Sequence, residues 1–336
     1  LNHKHTATTQ VLILSGLFIL LVLSVLLSIV LGATHIDFLG ALAGDSAIDR
    51  AILLRERLPR TIIGASVGAS LAAAGLAFQA ILKNPLADPY VIGVAGGSAI
   101  GGTLAMILPV AAVLGQAGVS LFAFVFGLLA IAGTYYLSRD SRGKVSVWEV
   151  LLVGVIFNTF ASAVIMFMKS VVRAEKAQEM LMWLMGTLSS DVRSPGAVTL
   201  SVAITVVGSV VLYLQAPALN ALSVSEEDAA SVGVDTAKTT RLVLGAGSLL
   251  VASAVSVAGM IGFVGLIVPH GVRALVGSDH RVTIPASLLM GASFLVLADV
   301  ATRLLFPVFE TEAPVGVLTA LIGGPVFVWL LRRGNR

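Results

Sequence analysis

The chain has no cysteine. Disulfides, thiolate metal sites and cysteine nucleophiles are therefore excluded. Charge is scarce as well: Asp, Glu, Lys and Arg make up 12% of the 336 residues, against about a quarter in an ordinary soluble domain. The GxxxxGK[ST] pattern is missing, so the chain cannot cradle ATP phosphates as P-loop proteins do. His270 has no HxxxH companion, the other histidines (His3, His5, His35 and His280) are scattered, and no nucleophile elbow or Ser-His-Asp spacing marks a catalyst. The net charge is only +3, and no basic tract suits nucleic acid.

What is present is apolar. Hydrophobic residues make up 57% of the chain, more than a water-soluble core can hide, so a bilayer is the solvent for most of it. The first apolar run, residues 11–31, lacks a small-residue cleavage site and reads as a retained membrane helix. A spanning helix needs roughly 20 apolar residues. Segments of that kind fit near 11–32, 61–82, 90–108, 118–138, 147–168, 195–214, 241–260, 262–276, 283–302 and 314–332. The expected fold is an all-α polytopic membrane protein of about ten helices, one domain over residues 1–336. An even count puts both termini on one side. Lys and Arg then divide twelve (Lys4, Lys83, Arg139, Arg142, Lys144, Lys238, Arg241, Arg273, Arg281, Arg332, Arg333, Arg336) to nine outside, a bias towards cytoplasmic termini.

Glycines recur at helix-packing spacing, at Gly64 and Gly68 and at Gly93, Gly97 and Gly101, where small residues let helix backbones approach closely. "RTIIGASVGASLAAAG" from Arg60 echoes "RLVLGAGSLLVASAVSVAG" from Arg241. The copies open the second and seventh helices, as an inverted repeat would.

Three polar islands interrupt the apolar pattern. "LRERLPR", residues 54–60, sets three arginines before a Pro-started helix. Cations there oppose the helix dipole, which a surface for acidic groups of an outer partner explains, with Arg303 on the same face. "KNPLADP", residues 83–89, reads as a tight turn. In residues 219–241, Ser225 before Glu226, Glu227 and Asp228 looks like an N-cap with acids in the first turn, and Gly233 like the stop. A short amphipathic cytoplasmic helix pair follows.

In combination these islands resemble the FecCD-type permeases, subunits of type II ABC importers for cobalamin, haem and ferric siderophores. The resemblance rests on residues 57–102, on "MWLMGTL" (182–188), "LNALSVSEEDAASVG" (219–233), "GMIGFVGLIVPHGVRALVGSDHR" (259–281), "LADVATR" (297–303) and residues 312–333. It implies a permease without catalysis of its own, moving a metal chelate across the bacterial inner membrane by alternating access. The expected cargo is a ferric siderophore or haem, with a corrinoid as the alternative. Implied partners are a second permease copy, two cytoplasmic ATPases carrying ATP and Mg, and a periplasmic binding protein. Residue by residue, Arg57, Arg60 and Arg303 match arginines that pair with glutamates of the binding protein. Ser225, Glu226, Ala229 and Gly233 match the coupling helices, within residues 219–240, that seat on the ATPase. Val147 and Trp148 fall at the cytoplasmic gate, where the cobalamin importer has small hydroxyl residues, and Asn158 on the helix lining the pathway. No metal or cofactor is expected on the chain.

Two other classes compete. An ion-coupled secondary transporter would show paired acids or broken helices at mid-depth, and only Asn158 stands there. An intramembrane enzyme using His270 with Asp299 would need both at one membrane face, whereas this topology separates them. Pro269 distorts its helix, and His270 and Arg273, three apart, are expected to share a face and satisfy freed backbone carbonyls.

Overall fold

An apolar run in lipid satisfies its backbone groups internally by coiling into a helix. In the computed structural model, which describes residues 7–32, 34, 36–44, 46–139, 146–188, 195–306 and 311–334, the regular elements are helices. In chain order they are α1 (Ala7–Val30), α2 (Phe38–Ala43), α3 (Ala47–Ala51), a π-helical turn (Ile52–Arg57), α4 (Leu58–Ile81), α5 (Val94–Ile107), α6 (Val110–Leu137) and α7 (Val147–Val171). There follow α8 (Ala174–Leu184), α9 (Pro195–Leu214), α10 (Ala216–Leu222), α11 (Glu226–Ser231), α12 (Thr236–Ala258), α13 (Val264–Val276), α14 (His280–Leu304) and α15 (Val315–Gly334). Among the described residues, α1, the run from α3 through α4, α6, α7, α9, α12 and α14 are long and apolar enough to cross a membrane, and α5, α13 and α15 are shorter apolar helices. These helices occupy the ten places marked by the sequence. Lys4, Arg142, Lys144, Arg193 and Arg336, which enter the orientation argument, lie outside the described residues, as do His3, His5 and His35.

The second helix starts earlier than its proline suggests. Ser46 caps α3, accepting from the Asp49 N–H at 3.2 Å. The chain then runs helically through Ile81. At the π-helical turn the Leu58 N–H reaches back five residues to the Leu53 carbonyl. A proline starts helices readily, but here the widened turn carries the helix past Pro59. The arginine island is therefore inside a helix and not ahead of one.

α4 is the buried centre, with α9, α12, α13 and α14 packed around it. The packing depends on missing side chains. A Cβ on Gly68 would collide with the Gly291 carbonyl, a Cβ on Gly291 with the Gly68 carbonyl, and a Cβ on Gly75 with the Gly265 carbonyl. Thus α4 meets α14 and α13 backbone to backbone. α9 is held differently. Ser66 and Ser70 bond the Thr205 hydroxyl at 2.7 and 2.8 Å, the side-chain hydrogen bonding that substitutes for a hydrophobic drive in lipid. Gly97 and Gly101 lie likewise against Phe126 and Phe122 carbonyls, closing α5 onto α6.

Gly68→Ala should lower stability by about 1–3 kcal/mol through overpacking. Gly245→Ala, where a Cβ meets nothing within 4 Å, should gain about 0.5–1 kcal/mol of helix propensity. Thermal unfolding of both variants in detergent checks the contrast.

Candidate functional site

At the end of the bundle where α1 finishes, three arginines sit below the surface. Arg57, Arg60 and Arg303 are 4%, 9% and 4% exposed. A buried cation survives only if its charge and all its donors are met. Arg57 caps the end of α1, donating to the carbonyls of Ile29 (2.8 Å), Val30 (2.6 Å) and Thr34 (2.5 Å). Carbonyls at a helix C-terminus welcome a cation. Arg303 does the same for Ser28 (3.0 Å) and Leu31 (2.9 Å), and donates to the Ser28 hydroxyl at 2.7 Å.

Asp299, 2% exposed, is the shared anion. Arg60 Nε lies 3.0 Å from both its oxygens and NH2 2.8 Å from one, while Arg303 Nε stands 3.1 Å from the other. Arg60 NH1 turns outward to Glu312 at 2.8 Å. The sequence left Asp299 as a lone acid, although its i,i+4 spacing to Arg303 was a readable signal. It missed Ser28 and Glu312, which carry no local pattern. The open cationic surface expected from Arg57, Arg60 and Arg303 is thus a closed network in this structure. Charged residues exposed on the same stretch, among those described, include Arg50, Arg55 and Glu56.

The opposite end carries the second cluster. Pro269 has no N–H, so the Gly265 carbonyl one turn earlier loses its helical partner. Gln79 of α4 supplies it, donating to Gly265 O at 3.2 Å and to Ala87 O at 3.3 Å, and its own oxygen accepts from Arg273 NH2 at 2.5 Å. The expected repair of freed carbonyls is therefore made by Gln79, with Arg273 orienting it. His270 is half-buried, and among the described residues no cluster of three or more His, Asp or Glu could hold a metal. Gln79, beside Arg273, is 19 residues from Arg60 on one helical run, a rise of about 28 Å. His270 and Asp299 consequently belong to opposite ends.

The amphipathic helix pair forms as α10 and α11. Ser225 caps α11 by accepting from the Asp228 N–H at 2.8 Å, Ala229 is buried, and Gly233 takes φ +83°. α10 is tied to the start of α14: Asn220 Nδ2 donates to Asp279 at 2.7 Å, and its oxygen accepts from the His280 N–H at 2.8 Å. Between α11, the α4–α5 turn and the beginning of α7 lies a cavity of about 530 Å³, lined among others by Glu226, Lys83, Asn84, Ser146 and Trp148. The fold therefore brings the coupling and gate candidates together. Val147 opens α7 next to Trp148, which is exposed. Asn158 is not free on its helix: it donates to the Tyr90 carbonyl at 2.9 Å. The Tyr90 hydroxyl in turn donates to Ile261 O and accepts from Ile261 N–H, both at 2.9 Å, pinning the α12–α13 turn. The exposed residues of α7 are largely apolar, Leu152, Val155, Ile156, Phe160, Met166, Phe167 and Val171 among them, and the hydroxyls of Thr159, Ser162 and Ser170 donate to carbonyls one turn back on the same helix.

Desolvation raises the Asp279 carboxyl, but bonds from the Arg281 N–H and Asn220 outweigh it, and the Arg281 charge adds to them; the group is held below its usual range. A depressed carboxylate stabilises the fold above its unfolded value of about 3.9 and loses that contribution as pH falls through the lower folded value. Asp279→Ala should therefore unfold more easily than the parent near neutral pH, the gap narrowing in acid; melting curves against pH test this. Asp299→Ala, leaving two buried guanidinium groups without their anion, should cost about 3–5 kcal/mol, measurable as a loss of folded, monodisperse protein in detergent.

A model of the FecCD transport family matches residues 20–333. The chain is 45% identical over 280 residues to the cobalamin import system permease protein of Halobacterium salinarum, covering 82% of this chain and 72% of that one. It is 34% identical to the hemin transport system permease protein of Yersinia pestis, covering 96% of each chain. Among solved structures, an inward-facing conformation of a metal-chelate type ABC transporter superposes with a TM-score of 0.83 at 31% identity, covering 96% of this chain and 99% of that one.

Proposed function

Because the chain belongs to the FecCD transport family, we propose that it is the membrane-spanning permease subunit of an ATP-driven metal-chelate importer, residing in the bacterial inner membrane with both termini cytoplasmic. The family is one of transport, and ATP with Mg would be bound by a separate ATPase. The observation that carries the reading is the juxtaposition around the 530 Å³ cavity, where Glu226 of α11 and Trp148 of α7 line one space. A partner seated on Ser225, Glu226 and Gly233, with Ala229 buried beneath them and packing α11 onto the fold, would act directly on the start of α7. ATP binding would close the ATPases, shift α10 and α11, and re-pack the opening of α7 at Val147 and Trp148, giving alternating access. Asn158 would keep α7 joined to the Tyr90 turn while its exposed face moves.

Three further assignments follow. A second copy of the permease would pack against the broad, largely apolar exposed surface of α7, making the assembly a homodimer. The arginine end is the outer one, where a periplasmic binding protein presenting glutamates would dock over Arg57, Arg60 and Arg303. For cargo, the relatives named above for cobalamin and hemin favour a large metal macrocycle, corrinoid or haem, over a ferric siderophore. An ion-coupled carrier finds less support, since Asp299 is neutralised by two arginines at the end of its helix.

Affinity purification of the tagged permease from its native membrane tests this. The expected result is recovery of an ATPase and a binding protein, with a corrinoid or haem identified on the latter by mass spectrometry. A ferric siderophore there would overturn the cargo assignment, and absence of an ATPase would overturn the importer reading.

A further inference from the structure

The three buried arginines differ in what would have to break for each to greet a newcomer. Arg57 and Arg303 donate to carbonyls at the end of α1. Releasing them strands those carbonyls and the helix end they cap. Among the described residues Arg60 donates only to carboxylates. Its Nε and NH2 are fixed on Asp299, which is 2% exposed and shared with Arg303. Among the described residues its NH1 is held by Glu312, whose side chain is 36% exposed and lies outside any helix. The ion pair is thus closed on one side and open to solvent on the other.

We propose that Glu312 is an intrachain stand-in for a partner's carboxylate, occupying NH1 of Arg60 until an acidic side chain of the docking protein displaces it. This rests on the docking reading given above and narrows it: of Arg57, Arg60 and Arg303, only Arg60 has an exchangeable partner. Charge balance supports the assignment. Among the described residues, three buried guanidinium groups face one buried carboxylate, Asp299, so a second anion is needed at this end whether or not a partner is present. Exchange of one carboxylate for another never leaves NH1 unpaired, the state that costs most in a desolvated site. It also withholds the cation from other anions, which raises selectivity at the expense of affinity.

Glu312→Gln keeps the shape of the side chain and removes its charge. The probe is the binding protein recovered with the wild-type complex, titrated onto detergent-solubilised permease at low and at raised salt. E312Q should bind it about 3- to 10-fold more tightly, with a steeper loss of affinity on adding salt, because the partner no longer has an anion to displace. Glu56→Gln, which removes an exposed charge beside the same network, controls for long-range electrostatics and should change affinity by less than half that factor. Unchanged or weaker binding by E312Q, or an equal gain in E56Q, overturns the exchange. Failure of the wild-type permease to bind any such protein would instead remove the docking reading itself, and the competitor with it; the two failures are told apart by the wild-type titration.

Discussion

Backbone contact between α4 and α14 at Gly68 and Gly291 sets the register on which the rest of the molecule depends. The helices run antiparallel. Arg60 lies eight residues before Gly68, and Asp299 eight residues after Gly291. Both are therefore about 12 Å from the crossing, and the ion pair falls into place without further adjustment. The same close approach continues at Gly75 and Gly265, which brings Gln79 within reach of the carbonyl that Pro269 leaves open. Polar groups at both ends of the bundle find partners because small residues at its centre fix where the helices touch.

Lipid makes that accuracy necessary. In water an arginine or glutamine left without its partner finds solvent; inside an apolar bundle it bears the full desolvation cost. The chain answers with groups that serve more than one neighbour. Asp299 meets two arginines, Gln79 joins α4 to α13 and to the α4–α5 turn, and Tyr90 satisfies both backbone groups of Ile261.

The sequence discloses what is local and periodic. The apolar runs place the helices, Ser225 and Gly233 bound α11, and the glycine spacing foretells close packing, because each signal lies within a few residues of its effect. The arginine network is different. Arg60 and Asp299 are 239 residues apart, and nothing in either neighbourhood names the other. So the arginines read as a surface charge when they are interior, and Asn158, expected on the helix lining the pathway, has its amide bound to Tyr90. The π-helical turn was hidden for a related reason: a proline that ordinarily begins a helix sits inside a longer one. The family motifs span both kinds of information, which is why they locate the important segments without giving their contacts.

Helix α14 is 25 residues long, about 37 Å. Its first residues are bound to α10 through Asn220, and its last turns to α4 through Asp299. A rod pinned at both ends to different bodies has few degrees of freedom. Sliding along its own axis by a full turn, about 5.4 Å, would break one anchorage or the other. A small rocking about the Gly68–Gly291 crossing keeps both, with the two ends swinging in opposite senses.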